Sequence, residues 1–133
     1  MINYQVGKFA DDYLSEVILA PIYGKTRDQC FDAAIAAFDY PCLEIIEQCR
    51  VVLDEILASN EISTLPRISI GDLREKVEDR AQLDFILSEL MKAELLMLYD
   101  SDPVFTRARQ LLRSRFENDY FVTLANDDNI FDF

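Results

Sequence analysis

Histidine and tryptophan are missing from this 133-residue chain. The lack of histidine removes the commonest general base near neutral pH, the Ser-His and Cys-His nucleophile pairs, and every histidine metal site. Only three glycines are present, and no GxGxxG or GxxxxGK[ST] loop exists to cradle a phosphate with backbone amides. No apolar run approaches the roughly 18 residues of a membrane span. The start, MINYQVGKFADDYL, has no basic region followed by an apolar stretch. These absences set the expectation of a cytoplasmic protein with no catalytic residues, no cofactor and no membrane partner.

Cysteine is scarce too. Cys30, Cys42 and Cys49 are odd in number, lack CxxC spacing and fall at apolar helical positions, which predicts buried, reduced thiols rather than disulfides or metal ligands.

Positive charge is the other shortage. Thirteen bases stand against 25 acids, a net charge of -12. Such a field repels phosphate backbones, so the expected partner is a protein with a basic surface, and DNA comes second. The bases are also uneven: Arg107, Arg109, Arg113 and Arg115 cluster, while residues 117–133 hold acids and no base.

Half the residues are apolar and the few prolines leave long uninterrupted stretches, as a folded chain requires. Residues 2–6 alternate as a short strand would. Phe9, Tyr13, Val17 and Ile18 then mark one face of a helix over about 8–20, closed by Pro21 and Gly24. Thr26 with Gln29 forms a capping box for a second helix running to about Asp39, with Cys30, Phe31, Ala34, Ile35 and Phe38 on its apolar side. Pro41 opens the third and best-defined helix, where Ile45, Ile46, Cys49, Val52, Leu53, Ile56 and Leu57 recur at threes and fours. Its polar side carries Glu44, Glu47, Asp54 and Glu55, with Arg50 and Asp54 paired at i,i+4. Beyond a connection at 60–66, Ser69 caps a short helix, and Asp79 with Gln82 caps a longer one burying Leu83, Ile86, Leu87 and Leu90. Leu95–Tyr99 and Tyr120–Leu124 read as strands. Between them Asp102-Pro103 starts a basic amphipathic helix burying Val104, Phe105, Ala108, Leu111, Leu112 and Phe116. Arg109 and Arg113 lie one turn apart on its outer side, facing phosphates or the protein's own acids.

The segments ISIGDLREKV, DRAQLDFILSELMKAEL, LLMLYD and YFVTL make residues 68–124 resemble the winged helix-turn-helix superfamily. That likeness implies a lead-in strand, a short helix, a recognition helix and two wing strands. Two departures stand out: the basic helix occupies the usual wing loop, and the recognition-helix equivalent sets Arg80 and Lys92 against Asp79, Asp84, Glu89 and Glu94. DNA-reading helices usually expose Arg, Lys, Asn or Gln.

Two further resemblances are local. Glu44 with Glu47 and Glu75 with Glu78 are similar to the paired ExxE motifs of all-helical nucleotide pyrophosphohydrolases, which implies magnesium held between helices; solvated helix faces account for the same residues. The final position, an aspartate in that family, is Glu78 here. The tail NDDNIFDF, with Asp127, Asp128, Phe131 and Phe133, resembles the acidic, Phe-terminated tails of bacterial single-stranded-DNA-binding proteins. That implies docking on partner proteins, against packing of Phe131 on the domain.

The expected architecture is mainly α with a minor β part. Residues 1–126 form one domain, comprising a helical part over 1–60 and a winged-helix-like part with a short hairpin over 67–125, and 127–133 form an acidic tail. The expected function is a non-catalytic acidic interaction module, such as a DNA-mimicking inhibitor, an antitoxin or an accessory subunit, that meets a basic, nucleic-acid-binding surface. The alternatives are a winged-helix transcriptional regulator and a magnesium-dependent nucleotide pyrophosphohydrolase.

Overall fold

A computed structural model describes residues 5–62, 68–100, 110–111 and 116–125. The fold is mainly helical with a small antiparallel sheet. In order, the elements are α1 (Val6–Tyr23), α2 (Arg27–Ala36), α3 (Leu43–Ile62), β1 (Ile68–Ser69), α4 (Ile70–Lys76), α5 (Arg80–Lys92), β2 (Leu96–Tyr99), β3 (Gln110–Leu111) and β4 (Phe121–Leu124).

Local chemistry sets the helix ends. The Thr26 side chain accepts the Gln29 amide at 3.1 Å and the Gln29 side chain accepts the Thr26 amide at 2.9 Å, so the expected capping box is complete. Ser69 accepts the Asp72 amide and Asp79 the Gln82 amide, each at 3.1 Å. These caps satisfy amides that the first helical turn leaves without partners. At the other end of α1, Gly24 adopts φ 67, a conformation that costs glycine nothing. The same device ends α5 without a glycine. Glu94 takes φ 61, while Glu94 and Leu95 donate to the carbonyls of Met91 and Leu90. This Schellman closure turns the chain directly into β2.

Three sequence expectations are corrected. Pro21 does not stop α1 but sits in its last turn, where its missing amide costs one hydrogen bond and Gly24 supplies the actual end. Val6 belongs to α1 rather than to a strand, and the remainder of the 2–6 segment, except Gln5, lies outside the described residues. Gln110 and Leu111, expected inside a helix, form β3 and pair with Tyr99 and Leu98 of β2. Pairing with a distant strand here overrides the local helical pattern; the rest of 101–115 lies outside the described residues.

The sheet order is β1-β4-β2-β3, antiparallel throughout. β4 lies between the strands that flank the α4–α5 pair, which closes that helical pair against the sheet. Backbone bonds from Ile70 to the Tyr120 carbonyl (2.8 Å) and from Gly71 to the Asn118 carbonyl (2.9 Å) extend the β1–β4 contact into α4. A side chain at Gly71 would bring its Cβ to 3.1 Å from that Asn118 oxygen, a tight contact that the β1–β4 junction would have to give slightly to admit.

One core runs through both halves. Phe9 and Tyr13 of α1, Cys30 of α2, Ile46, Cys49, Leu53 and Ile56 of α3, Leu83 and Leu87 of α5 and Val122 of β4 are all fully buried. The stripe expected on α3 is therefore the buried one. The outer end of α1 behaves differently: Ile18, expected beside Val17 on the inner face, is 74 % exposed. At 100° per residue it stands well away from Tyr13 around the helix.

Truncating Leu53 to Ala removes packing from the middle of this core and is expected to cost about 2–5 kcal/mol in chemical denaturation; a loss under about 0.5 kcal/mol would contradict its central position. The thiols should divide in the folded protein. Cys42 is only half-buried, whereas Cys30 and Cys49 are buried, and burial pushes the Cys49 thiol up, away from the reactive thiolate. A thiol reagent should label Cys42 first and the other two only as the protein unfolds; equal rates at all three would overturn this.

Candidate functional site

The polar side of α3 was the expected acidic contact surface, and the structure divides it in two. Glu44 and Glu47 occupy the start of α3 and are exposed. Carboxylates there complement the positive end of the helix and remain available to solvent.

Asp54 and Glu55 are used inside the molecule. Asp54 accepts hydrogen bonds from the Tyr13 hydroxyl (2.5 Å), Arg27 (3.1 Å) and Arg50 (3.2 Å), and so joins α1, α2 and α3. Arg50 reaches on to Asp28 at 2.7 Å and lies over the Phe31 ring, 5.0 Å from its centroid. Glu55 faces Lys76 of α4 at 3.7 Å. The Arg50–Asp54 pair was legible from its i,i+4 spacing; the contributions of Tyr13 and Arg27 come from distant positions that spacing does not connect.

A second polar hub fixes the α4–α5 pair. The Arg74 side chain, 13 % exposed, donates to Asp84 (3.1 Å), to the Asn118 side chain (2.7 Å) and to the Phe116 carbonyl (2.5 Å). One guanidinium thereby holds both helices and the approach to β4, using the fork geometry that lysine lacks. Nothing in the local pattern around Arg74 singles it out.

On α5, Arg80 and Lys92 are exposed, and Lys92 lies 3.8 Å from Glu89. Asp84 is drawn toward Arg74. The helix thus presents mixed charge rather than a basic face.

The remaining candidates resolve as follows. Arg107, Arg109, Arg113 and Arg115 lie outside the described residues, but β3 interrupts the single helix that would set Arg109 and Arg113 one turn apart. Asp127, Asp128, Phe131 and Phe133 also lie outside the described residues. Among the described residues no three Cys, Asp or Glu side chains are grouped to hold a metal ion, so Glu44, Glu47, Glu75 and Glu78 form no such cluster. No helix among the described residues is long and apolar enough to cross a membrane.

The Tyr13–Asp54 contact carries a pH signature. Burial first, and then the hydrogen bond to Asp54, push the Tyr13 phenol up from 10.0 to about 12. Its folded value exceeds its unfolded one, so the stability held by neutral Tyr13 is complete below pH 10 and is lost as pH rises toward about 12. Burial moves Tyr40 to about 12 as well. Denaturation across that range should show a decline that Tyr13→Phe reduces and the added change Tyr40→Phe reduces further. An unchanged decline in Tyr13→Phe would contradict the assignment.

No protein family, no curated protein and no solved structure matches this chain.

Proposed function

We propose that the protein is a non-catalytic interaction module whose acidic surface binds a basic, nucleic-acid-contacting surface of another protein. The observation that carries this reading is the fate of its cations. Lys8 pairs with Asp12, Lys25 with Glu16, and Arg27 and Arg50 with Asp54. Arg74 pairs with Asp84, Lys76 with Glu55 and Lys92 with Glu89. Among the described residues only Arg80 stands outside these ion pairs, while exposed carboxylates such as Glu44, Glu47, Asp72 and Glu75 belong to none of them. Among the described residues, internal pairing thus engages all the cations but Arg80 and leaves those carboxylates unpaired. An inhibitor, an antitoxin or an accessory subunit would use such a surface in the same way, by complementarity to a basic patch.

The second reading is a winged-helix DNA-binding regulator. Its support is the order β1, α4, α5, β2 followed by a returning β4, the lead-in strand, two helices and two strands that the resemblance implies. The mixed charge of α5 counts against it, since phosphate contacts need unpaired cations.

The two readings part in a paired experiment. Glu44→Gln with Glu47→Gln should leave the fold intact, since both side chains are exposed, and should weaken binding to a basic partner protein, most of all at low salt. Under the regulator reading that variant binds duplex DNA as well as before or better, and Arg109→Ala with Arg113→Ala abolishes binding. Mobility shift of duplex DNA at near-physiological salt, lost with the arginine pair, would replace the acidic-module reading by the regulator.

A further inference from the structure

We propose that the C-terminal half of α1 docks a basic amphipathic helix of a partner protein. This rests on the reading of the molecule as an acidic interaction module and supplies that module with an apolar anchor. Ile18, Ile22 and Tyr23 are 74 %, 73 % and 68 % exposed, and Leu19 is 43 % exposed. Single exposed apolar side chains are ordinary on any protein surface, whereas a contiguous group marks a contact. These four are contiguous by construction: Ile18 with Ile22 and Leu19 with Tyr23 are i,i+4 pairs on adjacent rows of one helix.

The outer side of α1 changes character along its length. Its first half carries Lys8, Asp11, Asp12 and Ser15, and its second half carries no charge after Glu16. Asp11, Ser15, Ile18 and Ile22 follow the spacing i, i+4, i+7, i+11, a single seam that begins acidic and ends apolar. Such a seam is the complement of another helix with an apolar stripe and a basic end.

Charge selects the occupant. Residues 5–40 contain three cations, Lys8, Lys25 and Arg27, and six acids, Asp11, Asp12, Glu16, Asp28, Asp32 and Asp39. Each of those cations is paired with an acid, and Asp28 is taken by Arg50. Asp11, on the seam itself, is exposed and outside any ion pair among the described residues. A second copy of the chain carries the same net charge of -12, so the two would repel. A cationic helix meets Asp11 with its basic end while its apolar stripe covers Ile18 and Ile22.

The test uses the full chain and two synthetic fluorescent peptides, each an amphipathic helix with a leucine stripe, one carrying lysines and the other glutamates on the polar side. Fluorescence anisotropy should show binding of the lysine peptide in preference to the glutamate peptide. Ile18→Ser with Ile22→Ser should weaken that binding at least about tenfold without lowering the thermal midpoint, and Asp11→Asn should reduce its salt dependence. Equal binding of the lysine peptide by the double variant would overturn the docking site while leaving the acidic-module reading in place. Equal binding of both peptides, lost in the double variant, would instead keep the apolar contact and overturn the basic partner, and with it the acidic-module reading. A dimer in sedimentation equilibrium that the double variant dissociates would assign the face to a second copy and end the proposal.

Discussion

Helix α3 must bury apolar side chains toward two neighbours at once. α1 packs on it from the first half of the chain and α4, α5, β1 and β4 from the second, while the Arg27–Asp54 and Arg50–Asp28 pairs tie α2 to it. Ile46, Cys49, Val52, Leu53 and Ile56 lie within an arc of about 120° on the helix, and all are fully buried. Glu44, Glu47, Arg50, Asp54 and Glu55 lie on the opposite side of the helix. Position along the helix separates its carboxylates: Glu44 and Glu47 at the start are exposed, and Asp54 and Glu55 in the middle meet neighbouring elements.

Two polar hubs complete what apolar packing begins. Apolar contacts are non-directional, so the stacked Phe9 and Tyr13 rings (5.5 Å between centroids) and the Phe31 ring set against Phe9 fix proximity more than orientation. Asp54 adds orientation by receiving donors from α1, α2 and its own helix. Arg74 does the same for α4, α5 and the turn before β4. Exposed ion pairs contribute little to stability individually. The less exposed ones around Arg50 and Arg74 determine instead how the elements sit, and they withdraw charge from the surface as they do so.

Much of the fold was legible because its signals are local. Thr26 with Gln29, Ser69 and Asp79 mark helix starts by the hydrogen bonds that only such residues make, and the α3 stripe repeats often enough to fix its inner side. β2 and β4 were also legible from their β-branched, aromatic and leucine runs. What escaped is non-local or short. Gln110 and Leu111 have an amphipathic helical pattern, and only pairing with β2 makes them extended. Ile18 sits next to Val17 in sequence, and a few apolar residues per face could not decide which of the two turns inward. The acidic set was half legible: spacing put Glu44, Glu47, Asp54 and Glu55 on one helix side, but Tyr13 and Arg27, which take Asp54 out of that set, lie 41 and 27 residues away.

Among the described residues the sheet ends briefly. Its outer strands, β1 and β3, are two residues each, whereas the inner β2 and β4 are four. An incoming strand gains affinity by laddering along a row of free backbone donors and acceptors, and a two-residue strand presents too short a row for many rungs. Growth of the sheet from one molecule into the next is therefore poorly templated, both for productive strand exchange and for fibrous aggregation.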